Sequence, residues 1–272
     1  MAVLVTLTNW LLPLLYLGLL IDYGTTFFLR TRTASRNPLL PVVLVVHALF
    51  LVLRSIHEGR PPMVHGHEIL SILALSTAAV YLVLEIAVRD RRAGVFIVLL
   101  VFLFQYTSSV FVGDHTGAQS GWARAHIIPA IIAYTAFAVG AIHGILHLLA
   151  HRNLKRHSVG VLFDRLPPVE LLGKMSWCAL VVGFIFMTVN VATGPLLLKY
   201  VNAADSGAAQ AAWHVEPRVA LKIIAGCTAW IIYGVAIAGR SFARWPMERI
   251  SGIGVLGFAI TMIMIIGSAF LP

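Results

Sequence analysis

The sequence predicts an all-α polytopic membrane protein, with eight transmembrane helices in one domain over residues 1–272 and both termini on the outer face. Hydrophobic residues make up 59% of the chain and charged residues 11%, whereas charged residues are about a quarter of a soluble domain. The mean hydropathy is +0.89. The apolar residues also form runs of about 18 residues or more, long enough for a helix to cross a bilayer.

These runs define the predicted helices in chain order. The predicted spans are 4–29, 38–57, 67–88, 93–112, 124–150, 170–198, 216–239 and 247–270. Proline-containing breaks separate several of them, as at Asn37-Pro38, Leu166-Pro167-Pro168 and Trp245-Pro246, where the helical pattern is interrupted. No gap between the spans accommodates a soluble domain.

Basic residues indicate the orientation, because cytoplasmic connections are enriched in Lys and Arg. One set of alternate connections holds Arg30, Arg32, Arg36, Arg89, Arg91, Arg92, Arg152, Lys155, Arg156, Arg165, Lys174, Arg240, Arg244 and Arg249. The other holds Arg54, Arg60, Arg124, Lys199, Arg218 and Lys222. We assign the first set to the cytoplasm and place the protein in the bacterial inner membrane. The same distribution, in short clusters rather than one basic stripe, argues against a nucleic-acid partner.

Histidine is the unusual residue of this chain, which contains 11. An imidazole within lipid is costly unless a metal or a hydrogen bond satisfies it. The predicted orientation places His47, His143 and His147 deep, and His151 and His157 in a cytoplasmic loop. It places the remaining six at or near the outer surface: His57, His65, His67, His115, His126 and His214.

His47 and His143 are candidate axial ligands of a haem, which takes two imidazoles from neighbouring helices at one depth. They lie roughly 13 Å and roughly 10 Å from the cytoplasmic ends of their helices at the α-helical rise. The alternative is a histidine hydrogen-bonded to Ser, Thr or a carbonyl between helices. Zinc is a weaker alternative to haem iron, because it needs three or four converging ligands. His147 is expected to lie at an interface rather than to act as a ligand.

A second candidate site lies at the outer rim, where His126 is close to Arg124. His126 is a candidate haem ligand, and Arg124 or Arg60 a candidate partner of a propionate, which guanidinium binds as a bidentate fork. The second ligand stays open among His214, His65 and His67, each of which is otherwise a solvated loop residue. Trp213 is either an interfacial anchor or a ring that stacks on the porphyrin.

Several segments together resemble the CcsA/HemX group of cytochrome c assembly proteins, from about residue 40 to the end. The stretch from Leu53 through Arg60-Pro61-Pro62 to Glu68 is similar to that family's Arg-rich loop before a glutamate-bearing helix. Leu166-Pro167-Pro168-Val169-Glu170-Leu171-Leu172, leading to Thr193-Gly194, resembles its Leu-Pro-Pro-Leu-Glu-Leu-Leu helix. Trp213 with Glu216-Pro217-Arg218 resembles the end of its tryptophan-rich haem-binding loop.

The resemblance also indicates where this chain departs from the family. His126 and His47 occupy the positions of an outer and an intramembrane haem-ligating histidine. Val215 replaces a loop tryptophan, Ala238 stands where another intramembrane histidine is expected, and the second outer histidine is missing. His143 and His214 are therefore inferred substitutes at the inner and outer sites.

Two functions follow as expectations. The resemblance implies a membrane protein that binds one or two haem b groups noncovalently between pairs of histidines and handles or presents them at the outer face. Its partners would be an apocytochrome c or another membrane subunit, in a haem lyase system. The alternative is a di-haem electron-transfer subunit of a respiratory or photosynthetic complex. No hydrolase, metalloprotease or nucleotide-binding motif occurs in a suitable context.

Overall fold

The apolar runs form eight α-helices within the part of the chain described by a computed structural model. It describes residues 2–29, 37–62, 66–88, 91–110, 121–156, 166–205 and 217–268, with backbone only for 2, 66, 87–88, 121–125, 197–205, 217–218, 266 and 268. The helices are α1 (Ala2–Leu29), α2 (Leu39–Glu58), α3 (Gly66–Val88), α4 (Gly94–Val110), α5 (Gly121–Lys155), α6 (Val169–Asp205), α7 (Pro217–Ser241) and α8 (Met247–Ser268). No strand occurs in these ranges.

A helix is present at each predicted span, and the described fold is therefore all-α. Within the described ranges, seven helices are long and apolar enough to cross a membrane, while Gly94–Val110 is apolar but shorter, at 17 residues. Helices α5 and α6 extend beyond the predicted spans, to Lys155 and Asp205. The prediction stopped where hydropathy fell, but charged residues such as Arg152 and Lys155 are good helix formers and are favourable in a last turn.

The first four helices form one compact unit. In this unit α1 packs against α2 and α4, and α3 packs against the same two helices. The aromatic side chains of Tyr16, Tyr23, Phe50 and Tyr81 are almost completely buried in it. They occupy the interior together with buried polar side chains such as His47.

The last four helices form a second unit. Helix α5 packs most extensively against α6 and also contacts α8, which pairs with α7. The rings of Phe137 and Tyr233 stack in its core with centroids 3.7 Å apart, and Leu180 and Met187 are fully buried beside them. The expected single domain stays a prediction.

The distribution of polarity is that of a protein surrounded by lipid. Apolar side chains face outwards on several helices, for example Val3 and Leu7 on α1, Ile56 on α2 and Ile263 on α8, each more than 60% exposed. Several charged and polar side chains, such as Glu68, are instead buried between the helices. Intramembrane polar groups face the bundle interior and find partners there, which together with helix length makes this a multi-pass membrane protein.

Candidate functional site

His47 is fully buried in the first unit, with both ring nitrogens hydrogen-bonded. Nδ1 lies 2.8 Å from the Tyr16 hydroxyl, and Nε2 lies 3.0 Å from Oγ of Ser71. The Ser71 hydroxyl donates its hydrogen to Oε1 of Gln105 at 2.9 Å, and it must therefore accept from His47. This places the imidazole proton on Nε2 and makes Nδ1 the acceptor of the Tyr16 O–H.

The His47 contact continues into a chain of buried hydrogen bonds. The Gln105 amide donates to Oγ of Ser109 at 3.1 Å, and Ser109 donates to the carbonyl of Asn9 at 2.8 Å. The Asn9 side-chain amide returns to the carbonyl of Ser109 at 3.2 Å. The chain links all four helices of the unit, which is the arrangement expected of the hydrogen-bonded alternative for His47.

His126 lies in the second unit, half-buried between α5 and α6. Its Nδ1 is 3.2 Å from Oγ1 of Thr193, and that hydroxyl already donates to the carbonyl of Val189 at 2.9 Å. Thr193 must therefore accept from Nδ1–H, which leaves the lone pair on Nε2. Asn190 donates to the His126 carbonyl at 2.8 Å, and its amide nitrogen is 3.3 Å from each ring nitrogen.

The contact between His126 and Thr193 joins α5 to the Thr193-Gly194 segment of α6. A Cβ placed on Gly194 would lie 3.5 Å from Cε1 of His126, and thus the Thr193-Gly194 pair packs directly on the imidazole. Asn190 was not identified from the sequence. It lies three residues before Thr193, a spacing that places both on one face of a helix, and this spacing is the signal that could have found it.

His143 is fully buried in the second unit and has one unsatisfied ring nitrogen. Nδ1 is 2.8 Å from the carbonyl of Val139. Since a carbonyl only accepts, Nδ1 carries the proton and Nε2 the lone pair. Among the residues that the structure describes, none forms a hydrogen bond with Nε2. A buried polar atom of this kind needs an explanation such as a ligand or an ion.

His147, one turn beyond His143, has a partner. Its Nδ1 is 3.0 Å from Oγ of Ser251 on α8, and it is 4% exposed. Beyond it, Nε2 of His151 and Nζ of Lys155 lie 2.6 Å and 3.0 Å from the same carboxylate oxygen of Glu248. These contacts join α5 to α8 and agree with the expected interfacial role of His147.

Arg60 is paired with carboxylates in the first unit. Its guanidinium contacts Glu68 through two bonds, of 3.2 Å and 2.9 Å, and Glu58 at 2.7 Å. The bonds to Glu68, whose side chain is fully buried, raise the pKa of Arg60. Arg54 completes the cluster, 2.7 Å from Glu58 and donating to Nε2 of His67 at 2.9 Å. In this arrangement the Arg60 guanidinium is ion-paired with two protein carboxylates.

The backbone at Gly59 explains how Arg60 reaches Glu68. Gly59 ends α2 with φ of 64°, in the left-handed region that glycine adopts without a steric penalty. The chain therefore turns back after α2, towards the first turn of α3, where Glu68 lies.

The remaining predicted site residues have not been placed by the structure. Trp213 and His214, with His65, His115 and His157, lie outside the described residues, and the side chain of Arg124 is also outside them. Within the described ranges, no three His, Cys, Asp or Glu side chains converge in a way that could hold a metal ion. A haem iron takes only two protein ligands, so the histidine predictions stay predictions.

The helices define a polytopic α-helical membrane protein with histidines buried between its spans. Comparison with known families specifies the class further: the family described as Cytochrome C assembly protein matches residues 28–272. The chain therefore belongs to the cytochrome c assembly protein family, as the resemblance predicted.

Curated relatives agree with this membership at low identity. The chain is similar to cytochrome c biogenesis protein CcsA of Porphyra purpurea, with 22% identity over 93% of this chain and 90% of the relative. It is also similar to CcsA of Heterosigma akashiwo, with 20% identity over 77% of this chain and 74% of the relative. No solved structure matches the chain.

The histidines differ in how well they fit a haem iron, which binds the lone pair of a neutral imidazole. His143 fits, because it donates Nδ1–H to an oxygen and its Nε2 lone pair has no partner among the described residues. His126 also donates Nδ1–H to an oxygen, and its Nε2 lone pair makes a long contact of 3.3 Å with the Asn190 amide, which donates to the His126 carbonyl at 2.8 Å. This is the arrangement that second-shell hydrogen bonds impose on ligating histidines. His47 does not fit as it is placed here, because Tyr16 and Ser71 occupy both nitrogens.

Proposed function

We propose that this protein binds haem b noncovalently and handles or presents it at the outer face of a membrane during cytochrome c assembly. The observation that carries the proposal is the state of His126: Thr193 accepts its Nδ1–H, and the Asn190 amide, which donates to the His126 carbonyl at 2.8 Å, makes only a longer 3.3 Å contact with the lone pair on Nε2. Membership of the cytochrome c assembly family supplies the context for such a ligand. Bound haem b would supply the macrocycle to be handed on and an iron that two protein side chains would hold.

In this proposal the chain's residues have separate roles. His126 binds the outer haem, with His214 as its proposed partner, while Trp213 stacks on the macrocycle and Arg124 pairs a propionate. His143 binds an inner haem through Nε2, because that atom is buried and has no other partner among the described residues. His47, its proposed partner, would first have to release Tyr16 or Ser71. We propose Arg60 as a positioning residue that holds Glu68 at the start of α3.

The topology completes the proposal. Eight spans with both termini outside would place His126 near the outer surface, where an apocytochrome c or a partner membrane subunit receives the haem. The basic residues at the opposite ends of the helices support this orientation. We also propose the bacterial inner membrane as its location.

An electron-transfer function is the second candidate, and the positions of His126 and His143 favour it. Both lie on α5, 17 positions apart, which corresponds to about 25 Å along a helix. Two haems held at such different depths would form a path for electrons across the bilayer. In that case the protein would be a subunit of a larger complex with both haems permanently bound.

Two measurements test the proposal. A pyridine haemochrome assay on the purified protein should give one or two haem b per chain, and absence of haem would overturn both functions. Deletion of the gene should then abolish mature c-type cytochromes if the protein acts in assembly. Normal c-type cytochromes, together with co-purification of the haem-loaded protein in a respiratory or photosynthetic complex, would contradict assembly and support electron transfer.

A further inference from the structure

A cleft opens on the second unit where α6 begins and α7 ends. Its volume is about 450 Å³. The lining residues are Glu170, Lys174, Trp177, Arg240, Ser241 and Met247. The proposed haem ligands His126 and His143 are not among them, and the cleft is therefore separate from the proposed haem sites.

Positive charge surrounds this cleft. Lys174 and Arg240 line it with exposed side chains, and Arg244 and Arg249 are exposed on the turn and helix that follow α7. Glu170 is the one carboxylate among the six lining residues that the structure describes. The nearby carboxylate of Glu248 is contacted by His151 and Lys155. The local charge thus favours an anionic ligand.

Two of the cations are held in place by the turn between α7 and α8. Arg240 donates from Nη1 to the carbonyl of Trp245 at 2.8 Å. The guanidinium of Arg249 lies 4.3 Å from the centroid of the Trp245 ring, within the range of a cation–π interaction. Preorganised cations lose less side-chain entropy when they bind an anion.

Apolar side chains also lie in the cleft and beside it, which restricts the class of anion. Trp177 and Met247 line the cleft itself, and Phe242 next to Ser241 is 88% exposed. Further along the same helices, Ile185 on α6 and Ile231 on α7 are 55% and 57% exposed. A ligand with a negative headgroup and hydrocarbon chains would match both features, whereas a small hydrophilic anion would match only the charge.

We propose that this cleft binds the phosphate-bearing headgroup of an anionic phospholipid. The phosphate contacts Lys174 and Arg240, and the acyl chains lie along the apolar surfaces of α6 and α7. Basic pockets between transmembrane helices are suited to such headgroups, and each Lys or Arg near an anionic lipid surface contributes roughly 1 kcal/mol. The basic residues of this end also make it the proposed cytoplasmic side.

The test compares lipids and variants in the purified full-length protein. Native mass spectrometry in phosphatidylcholine doped with phosphatidylglycerol measures retained lipid, and thermal unfolding measures its stabilising effect. We expect phosphatidylglycerol to be retained preferentially and to raise the unfolding temperature. Lys174→Gln and Arg240→Gln should each reduce the affinity for phosphatidylglycerol about fivefold, the factor equivalent to roughly 1 kcal/mol.

Lys222→Gln is the matched control, because it removes one exposed charge near the other end of α7. It should leave the lipid preference unchanged. Lys174→Gln is the decisive variant if Arg240→Gln disturbs the turn through its bond to Trp245. Equal retention of the two lipids by the wild type, or equal losses in Lys174→Gln and Lys222→Gln, would overturn the proposal. Stabilisation by millimolar glycerol phosphate equal to that by phosphatidylglycerol would also overturn it, in favour of a free phosphate ligand.

Discussion

Nε2 of His47 and Oγ of Ser71 lie 3.0 Å apart in the interior of the first unit. The Ser71 hydroxyl donates onwards to Gln105, and the histidine proton is therefore directed towards Ser71. This fixes the tautomer of His47 by contacts between α2, α3 and α4. A neutral histidine whose N–H and lone pair both form hydrogen bonds links the helices that it contacts. It has no unpaired nitrogen that could bind a metal in this arrangement.

Ser71→Ala should therefore destabilise the protein without changing its haem content. The substitution leaves the N–H of His47 without an acceptor and Oε1 of Gln105 without its donor, and one unsatisfied buried group costs about 1–3 kcal/mol. Thermal unfolding in detergent measures the loss, and a pyridine haemochrome assay measures haem. Ser55→Ala on α2 is the matched control, since Ser55 is only partly buried. Increased haem binding in Ser71→Ala, in which one nitrogen of His47 is released, would instead support His47 as a ligand.

His126→Ala should remove the outer haem, because it deletes the proposed axial ligand. Thr193→Val keeps the imidazole but removes the acceptor of its Nδ1–H. Such outer-shell changes typically weaken metal binding about ten- to one-hundred-fold. Titration of the apoprotein with haem, followed by absorbance, would measure both effects. Thr188→Val is the control, because this threonine on the same helix bonds Trp230 rather than a histidine. Unchanged haem affinity in Thr193→Val would contradict the role assigned to Thr193.

His143→Leu should remove the inner haem while leaving the apoprotein at least as stable as the wild type. The substitution replaces an unsatisfied buried nitrogen with hydrocarbon, which is near neutral or stabilising. His147→Leu provides the contrast, because it breaks the 3.0 Å contact with Ser251 and should lower stability but retain haem. Absorbance spectra and unfolding temperatures separate these outcomes. Full haem occupancy in His143→Leu would remove His143 from the ligand set.

The helices were predictable because hydropathy over about 18 residues depends on the local sequence alone. The burial of His47, His143 and His147 was likewise expected from their positions within apolar runs, and all three are at most 4% exposed. Their partners were not predictable, because contacts such as His47 with Ser71 depend on how each helix is rotated about its axis. One polar residue in an apolar run does not specify that rotation.

The partner of Arg60, which lies in a loop, was likewise not predictable from the sequence. The sequence made Arg60 one of two candidate partners of a propionate. In the structure its guanidinium lies just after the left-handed turn at Gly59 and pairs with Glu68, eight residues later. A single glycine between charged residues does not reveal this turn, because many glycines in the chain adopt ordinary helical backbone.

Gly94→Ala should destabilise the first unit through a steric clash. A Cβ at Gly94 would lie 2.2 Å from the Tyr81 hydroxyl and 2.6 Å from the Tyr23 ring, too close for either buried side chain to accommodate it without moving. Overpacking of this kind costs about 1–3 kcal/mol. Gly18→Ala is the matched control, because no atom lies within 4 Å of its added Cβ. Thermal unfolding should rank Gly94→Ala well below Gly18→Ala, and equal midpoints would contradict the close packing around α4.

Arg60→Gln should strongly destabilise the protein, because it leaves the fully buried Glu68 carboxylate without its bidentate partner. Breaking a buried pair costs about 3–5 kcal/mol, and Arg54, 3.7 Å from Glu68, should keep the loss near the lower end. The double variant Arg60→Gln/Glu68→Gln should recover much of the stability, because it removes both charges.

The ion pair should contribute equally across the neutral pH range. The carboxylates raise the pKa of Arg60, and the stability that the charged guanidinium contributes is lost only as the pH rises through that raised pKa. Since the ordinary pKa of arginine already exceeds about 12, the contribution should be constant between about pH 5 and pH 9. Unfolding midpoints of the three proteins across this range provide the measurement, and a double variant no more stable than Arg60→Gln would show that the two residues are not coupled.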